Sequence, residues 1–446
     1  MKKTAILCSA IAWLMAMPAM ADDTFTENGV TYTKDGDIAK VTAAAEATGE
    51  VVIRGQVTID ENDYYVTVIN TEAFQNNTAI TKVTIPNDIS LLCEKAFQGC
   101  TGLTEVVFQE YEGRGGITEL YQYMFDGCTS LTKVNIPEGV TKIHNQAFNG
   151  CSSLTFLSLP ASCEEIGWYA FYGCSALSTL TIPAAMNKFE EGLFSNCSNL
   201  KSIYYLGNTL TLAPTEDAWK IFQETNNPVI YTKSSALSAV KAALDGKADW
   251  IKDLVTDDIP FTQTKDYTTF CSDFDVDFSA ADGLQAGVAL ADAYTDGQLT
   301  LSVKEAVPAH TGMLLKGTAG EHYTLKIAES GPEAVEGSLL KGVVLPTAIP
   351  QAEDDQTNFV LHDGVFRKVA ATGVLPAGRA YLQLPTPVSS EVRSVTIYFE
   401  GAATGVVEVK REEVKREESV FNLSGQQVGK PAQGIYIVNG KKMMAK

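Results

Sequence analysis

The chain has 446 residues, of which 45% are hydrophobic, 20% charged and 9% aromatic. This is an ordinary globular mixture that excludes wholesale disorder and collagen-like repetition, and at roughly 150 residues per domain the length predicts about three domains. Acids outnumber Lys and Arg 54 to 34, for a formal net charge of −20, so the basic footprint of a nucleic-acid or anionic-lipid binder is missing.

Residues 1–21 read as a secretory signal peptide. Lys2 and Lys3 open it, an apolar run follows from Ala5 to Met17, and Ala19-Met20-Ala21 supplies a small-x-small cleavage pattern before Asp22. The run is too short to span a bilayer and acids follow at once. Lipidation at Cys8 is disfavoured by the bulky Leu7 and by the few residues before it. Cleavage removes two lysines, taking the formal charge from −20 down by two to −22. No other stretch has ~18 uninterrupted apolar residues, so no transmembrane segment is expected in the mature chain. Residues 22–65 are read as an N-terminal cap, with strands at Val51–Ile53 and Tyr64–Val68 on an atypical first coil.

Residues 66–206 carry an internal repeat. Phe74, Phe97, Phe125, Phe148, Phe171 and Phe194 are spaced by 23, 28, 23, 23 and 23 residues, the long step holding an extra loop at Tyr111–Gly116. Other positions keep the same step. Five residues before each Phe stand Ile69, Leu92, Leu120, Ile143, Ile166 and Phe189. Three after it stand Asn77, Cys100, Cys128, Cys151, Cys174 and Cys197, and six after it Ile80, Leu103, Leu131, Leu154, Leu177 and Leu200. A V-x-I alternation then reads as one short strand per coil, ended in four copies by Pro86, Pro137, Pro160 and Pro183. Such units cannot bury their apolar positions alone, but stacked coils build one continuous core, which predicts a solenoid. The stretch Ile166-Gly-Trp-Tyr-Ala-Phe-Tyr-Gly-Cys-Ser-Ala-Leu-Ser-Thr-Leu-Thr-Ile-Pro183 resembles the BspA-like class of leucine-rich repeats, and the resemblance extends over about residues 50–206 in six copies.

Five of the nine cysteines therefore occupy one repeat position. Their side chains run parallel in stacked coils, whereas a disulfide needs a twist near ±90°, so buried free thiols with weak hydrogen bonds are expected. Cys163 fills an apolar slot; Cys93 and Cys271 have no assignment.

Residues 207–258 are read as a C-terminal cap in which Ser234 or Ser235 caps a helix with Leu237, Val240 and Leu244 on one face, Gly246 interrupts it, and Trp250, Ile251 and Leu254 add an apolar cluster. Residues 259–400 predict an antiparallel, sandwich-like all-β domain, from runs such as Val288–Leu290, Leu299–Val303, Met313–Leu315, Tyr323–Ile327 and Val395–Phe399. Two similar turn-plus-strand units start at Pro308 and Pro376, and resemble β-rich modules that follow such repeats in Bacteroidetes surface proteins. The run Val409–Glu413, duplicated as Val414–Glu418, makes 401–419 a charged linker. Residues 420–446 read as a β-hairpin tail with Asn439-Gly440 at its turn; the tail resembles a type IX secretion sorting signal.

No His-Glu-x-x-His, Gly-x-Ser-x-Gly or phosphate-cradling glycine loop is present, and the four histidines are scattered. No enzyme, cofactor or metal is expected. The outward positions of the repeat strands are the binding candidates: Lys82, Glu105, Lys133, Asn135, Phe156, Ser158, Thr181 and Tyr204, with Thr84, Val107, Thr179 and Ser202 beside them. Phe156 and Tyr204 are candidate anchors, or packing against a neighbouring coil or cap. The resemblance implies adhesion to a host extracellular or bacterial surface protein. A glycan-binding envelope protein, using Tyr381 or Tyr398, and a structural envelope protein are the alternatives.

Overall fold

Each coil closes because two of its backbone positions turn left-handed. One stands just before the ladder cysteine, where Gly99, Gly127, Gly150 and Gly173 take φ of 71–74° and only asparagine, at Asn76 and Asn196, replaces them. The computed structural model describes residues 23–109, 116–212, 218–295, 298–344, 346–353, 355–369, 372–385 and 394–399, and short tail strands within 420–445. The signal-peptide segment, the loop at 110–115, the charged linker and the Asn439-Gly440 turn lie outside the described residues.

The strand of each coil pairs in parallel with its counterpart to form a front sheet. Gly49–Val52, Ile80–Ile85, Glu105–Phe108 and Lys133–Asn135 align in one series, and Thr179–Ile182, Ser202–Tyr205, Val229–Thr232 and Val255–Thr256 in another. Ser158 touches the first series through a single parallel bridge to Asn135. Parallel stacking therefore continues through residues 207–258. Pro86, Pro137 and Pro183 end their strands, and they and Pro160 open a turn, each accepting the amide three residues on at 3.0–3.2 Å. The structure adds a second, two-residue strand per coil, as at Glu119–Leu120, Lys142–Ile143 and Glu165–Ile166, which forms a back sheet. Two residues carry no alternation, so sequence periodicity does not reveal them.

The core is built from repeated columns. Phe74, Phe97, Phe125, Phe148, Phe171 and Phe194 stack with centroids 4.9–6.2 Å apart, and Phe222, from the 3₁₀ turn Ala218–Phe222, extends the stack at 5.7 Å. All eight cysteines of the described residues are buried thiols outside any disulfide. Asn77 starts the cysteine column: its Nδ2 donates to the carbonyls of Ala44 (2.7 Å) and Ala47 (2.8 Å), and its Oδ1 accepts from the amides of Ala79 and Ile80. Cys93 follows the back strand Leu91–Leu92 by one residue and points into the core.

At the front, Thr24–Glu27, Val30–Asp35, Ile38–Ala43, Gln56–Ile59 and Asn62–Ile69 form a sheet over the first coil. At the back, the helix Leu237–Leu244 buries Val240 and Leu244. Its N-cap is Ala236, with no side-chain cap. The serines expected to cap it serve other partners: Ser234 Oγ donates to Asp257, and the Ser235 amide donates to Glu329 Oε1 at 2.9 Å, in the following β module.

That module, from Ile259 to Phe399, is all strand and mostly antiparallel; Gln298–Lys304 and Ser394–Phe399 pair in parallel. It holds two main hydrophobic clusters, one with Val276, Val288, Met313, Leu315 and Ile327, the other with Leu299, Leu301, Leu314, Phe359, Phe366 and Leu382. The strand Met313–Lys316 feeds both, because alternate side chains leave opposite faces. The Pro308 and Pro376 units share a left-handed third residue, His310 (φ 60°) and Gly378 (φ 71°). In the tail, Val420–Phe421, Gln427–Val428, Gly434–Val438 and Lys441–Ala445 make a four-stranded antiparallel sheet.

Candidate functional site

The front strands present two outward columns. Glu50, Lys82, Glu105 and Lys133 are register partners in successive strands, and so are Val52, Thr84, Val107 and Asn135. In the first column charge alternates. Glu105 bridges its neighbours, Oε2 lying 3.1 Å from Lys82 Nζ and Oε1 3.5 Å from Lys133 Nζ. The pairs are part-exposed, so their contribution to stability is small, about 0–1 kcal/mol each; their effect is to hold long side chains in a fixed array. In the second column Val52 is 67% exposed. Asn135 closes the strand edge: its Nδ2 donates to the Phe108 carbonyl at 3.0 Å and its Oδ1 accepts the Phe108 amide at 3.1 Å.

Further along, the face is covered. Ser158 Oγ donates to Asp273 Oδ1 at 2.9 Å, Thr181 is buried, and the Tyr204 ring stacks on Tyr231 (5.1 Å) and on Phe274 of the β module (4.5 Å). Burial pushes the Tyr204 hydroxyl up to about 12. Phe156 lines a cleft of ≈ 310 Å³ whose opposite wall includes Ile259, Phe261 and Phe270. The outward positions thus divide. Lys82, Glu105, Lys133 and Asn135 stand on an open surface. Ser158, Thr181 and Tyr204, read from the sequence as equally outward, pack against the following module, and Phe156 faces it across the cleft. Alternation assigns a side chain to a face of the sheet but carries no information about what lies over that face. Asp273, Phe274 and His310, which complete the contact, had no sequence signal, because they meet the strands only across more than 60 residues of chain.

The contact is also electrostatic. His310 Nε2 lies 2.8 Å from the same Asp273 Oδ1, and hydrogen bonding to Asp273, with further attraction from Glu138 on the solenoid, raises its pKa above the ordinary value. Lys326 reaches Asp257 (2.8 Å) and Asp258 (2.5 Å) at the end of the solenoid, which holds the Asp257 carboxyl below the usual range. Among the described residues, no group of three or more His, Cys, Asp or Glu side chains could hold a metal ion, and no helix is long and apolar enough to cross a membrane. Tyr381 is half-buried, and the Tyr398 side chain lies outside the described residues.

Stacked coils of this period, with parallel strands on one face and a cysteine–phenylalanine ladder inside, define a leucine-rich-repeat solenoid of the BspA-like kind, followed here by an all-β module. Residues 118–214 match a family model described as BspA type Leucine rich repeat region. The chain is similar to the leucine-rich repeat protein of T. pallidum, at 27% identity over 42% of this chain and 85% of that one, with a TM-score of 0.37. It is similar to a leucine-rich repeat protein from Bacteroides ovatus at 27% identity, over 47% of this chain and 55% of that one, with a TM-score of 0.38. A leucine rich cell surface protein from Faecalibacterium prausnitzii is 21% identical over 44% of this chain and 73% of that one, with a TM-score of 0.26. No curated protein matches the chain.

Proposed function

We propose that this is an exported, surface-displayed, non-enzymatic protein of adhesion type, which binds a host extracellular or bacterial surface protein on the open part of its front strand face. The observation that carries this reading is the pair of outward columns over four register-locked strands, one of alternating charge and one ending in the exposed Val52. Such a surface is rigid before a partner arrives, so little ordering is lost on binding, and its charge alternation selects a complementary partner. The repeat-family match supports a protein-binding role. Export is supported by the signal-like residues 1–21, and the tail after Ser419, similar to type IX sorting signals of the Bacteroidetes group, is proposed to direct surface attachment.

The test is binding of the full chain to extracellular-matrix proteins and to intact bacterial cells, with Lys82→Glu/Lys133→Glu as the altered surface. Reversing both lysines is expected to weaken binding about tenfold or more. Phe156→Ala/Tyr204→Ala is expected to loosen the β module instead. Wild-type binding by the charge-reversed protein, or binding to no protein at all, overturns the proposal.

A further inference from the structure

One residue after each back strand, successive coils place Tyr121, His144, Gly167 and Glu190 in a column. The rings of Tyr121 and His144 stack at 5.0 Å and 10°, and Glu119 holds His144 through a 2.6 Å contact from Oε2 to Nε2. At Gly167 the column has no side chain. A Cβ there would lie 2.3 Å from Asn145 Oδ1 and 2.6 Å from the Asn145 amide nitrogen, so the coil passes too close to its neighbour for any residue but glycine. Beside His144, this close stacking leaves a slot, a cleft of ≈ 340 Å³ whose walls include Lys142, Asn145, Glu165, Trp168 and Glu190. That volume is at the small end of the about 300–1,000 Å³ typical of small-molecule sites.

Trp168 is the exposed wall of this slot. It is 52% exposed, yet its orientation is set: the indole Nε1 donates to Glu190 Oε2 at 3.0 Å, and its backbone amide donates to Asn145 Oδ1 at 3.0 Å. Around it the charges are already paired, Lys142 with Glu165 and Lys188 with Glu190. An anion would meet the carboxylates of Glu164, Glu165 and Glu190, and a cation at Glu165 or Glu190 would have to displace a lysine. A purely apolar ring would strip water from these part-exposed ion pairs and offer no hydrogen bond in return, which costs free energy. A neutral ring that offers hydroxyls to both donors and acceptors, and an apolar face to the indole, meets none of these penalties.

We infer that the slot between His144 and Trp168 binds one pyranose ring of a neutral glycan. The site uses back-strand residues, none of them in the front columns, so it stands or falls separately from the protein-binding surface. The test is an array of neutral hexose and N-acetylhexosamine oligosaccharides probed with the full chain, followed by calorimetric titration of the hits. Trp168→Ala, an exposed position where the fold should survive, is expected to weaken binding about tenfold or more with an unchanged melting temperature. Lys82→Glu/Lys133→Glu is expected to bind as wild type. The inference is overturned if no neutral oligosaccharide binds, if Trp168→Ala binds as wild type, or if only peptides or anionic glycans compete for the slot.

Discussion

Cys174 Sγ donates to the carbonyl oxygen of Phe148, 3.2 Å away in the preceding coil. The same bond recurs from Cys100 to Phe74, Cys128 to Phe97, Cys151 to Phe125 and Cys197 to Phe171, at 3.0–3.1 Å. Each of these buried carbonyls already accepts the backbone amide three residues on, and the thiol gives its second lone pair a weak donor on a side chain small and apolar enough for the core. Asn77 meets the same need at the solenoid's first turn with a stronger amide, because there the backbone of Ala44 and Ala47 offers two carbonyls at once.

The ladder thiols should be chemically silent in the folded protein. Burial pushes Cys100 and Cys197 up to about 12 and raises Cys128, Cys151 and Cys174 well above the ordinary thiol value, and only the thiolate is nucleophilic. Iodoacetamide near pH 8 is expected to leave the native cysteines unmodified and to label all eight of the described residues after denaturation. Rapid native labelling, or thiols that stay unreactive once unfolded, would contradict this.

Removing one rung of the phenylalanine stack should cost more than removing one rung of the thiol ladder. Phe148 is fully buried between Phe125 and Phe171, and Phe148→Ala is expected to destabilise by about 3–5 kcal/mol. Cys151→Ala removes the thiol bond to the Phe125 carbonyl, which still accepts the Cys128 amide at 3.1 Å, and is expected to cost about 1 kcal/mol. Urea midpoints rank the two. Because each coil contacts its neighbours, hydrogen exchange should show the loss of protection centred on the coils flanking residue 148.

Stability around His310 should depend on pH, chiefly through its partner Asp273 in the same module. The His310 pKa is raised in the fold by Asp273 and Glu138. A raised basic group contributes stability that is fully present below its unfolded value, about 6.5, and that is lost as pH rises through the folded value. His310→Gln is therefore expected to lower the melting temperature below about pH 6.5 and to have progressively less effect above it. A difference that grows with pH would reverse the assignment.

Tyr204 should hold the two domains together. Its ring lies between Tyr231 of the solenoid and Phe274 of the β module, and Tyr204→Ala is expected to weaken docking by about 1–3 kcal/mol. Limited proteolysis should then cut faster near Asp258, where the solenoid passes into the module. An unchanged cleavage pattern would show that the Lys326 and Ser235 contacts suffice.

The repeat was legible in the sequence because one physical requirement, filling the same core position in every coil, stamps the same residue type at a fixed step. Phe148, Cys151 and Leu154 announce their burial through Phe171, Cys174 and Leu177. Alternation likewise told which strand residues leave the core, from Lys82 to Tyr204. Requirements met once, by residues far apart in the chain, leave no such mark. Ser235 looks like a helix cap until Glu329, 94 residues on, takes its amide. Tyr204 looks like an exposed anchor until Phe274 lies across it. Gly167 looks like an ordinary turn glycine until stacking brings it so close to Asn145 of the preceding coil that no side chain fits. The sequence by itself determined the solenoid and the direction of its side chains, because local periodicity is enough for that. Only the tertiary structure decided which part of the outward face stays open and where a cleft forms, because both depend on what another segment covers or leaves empty.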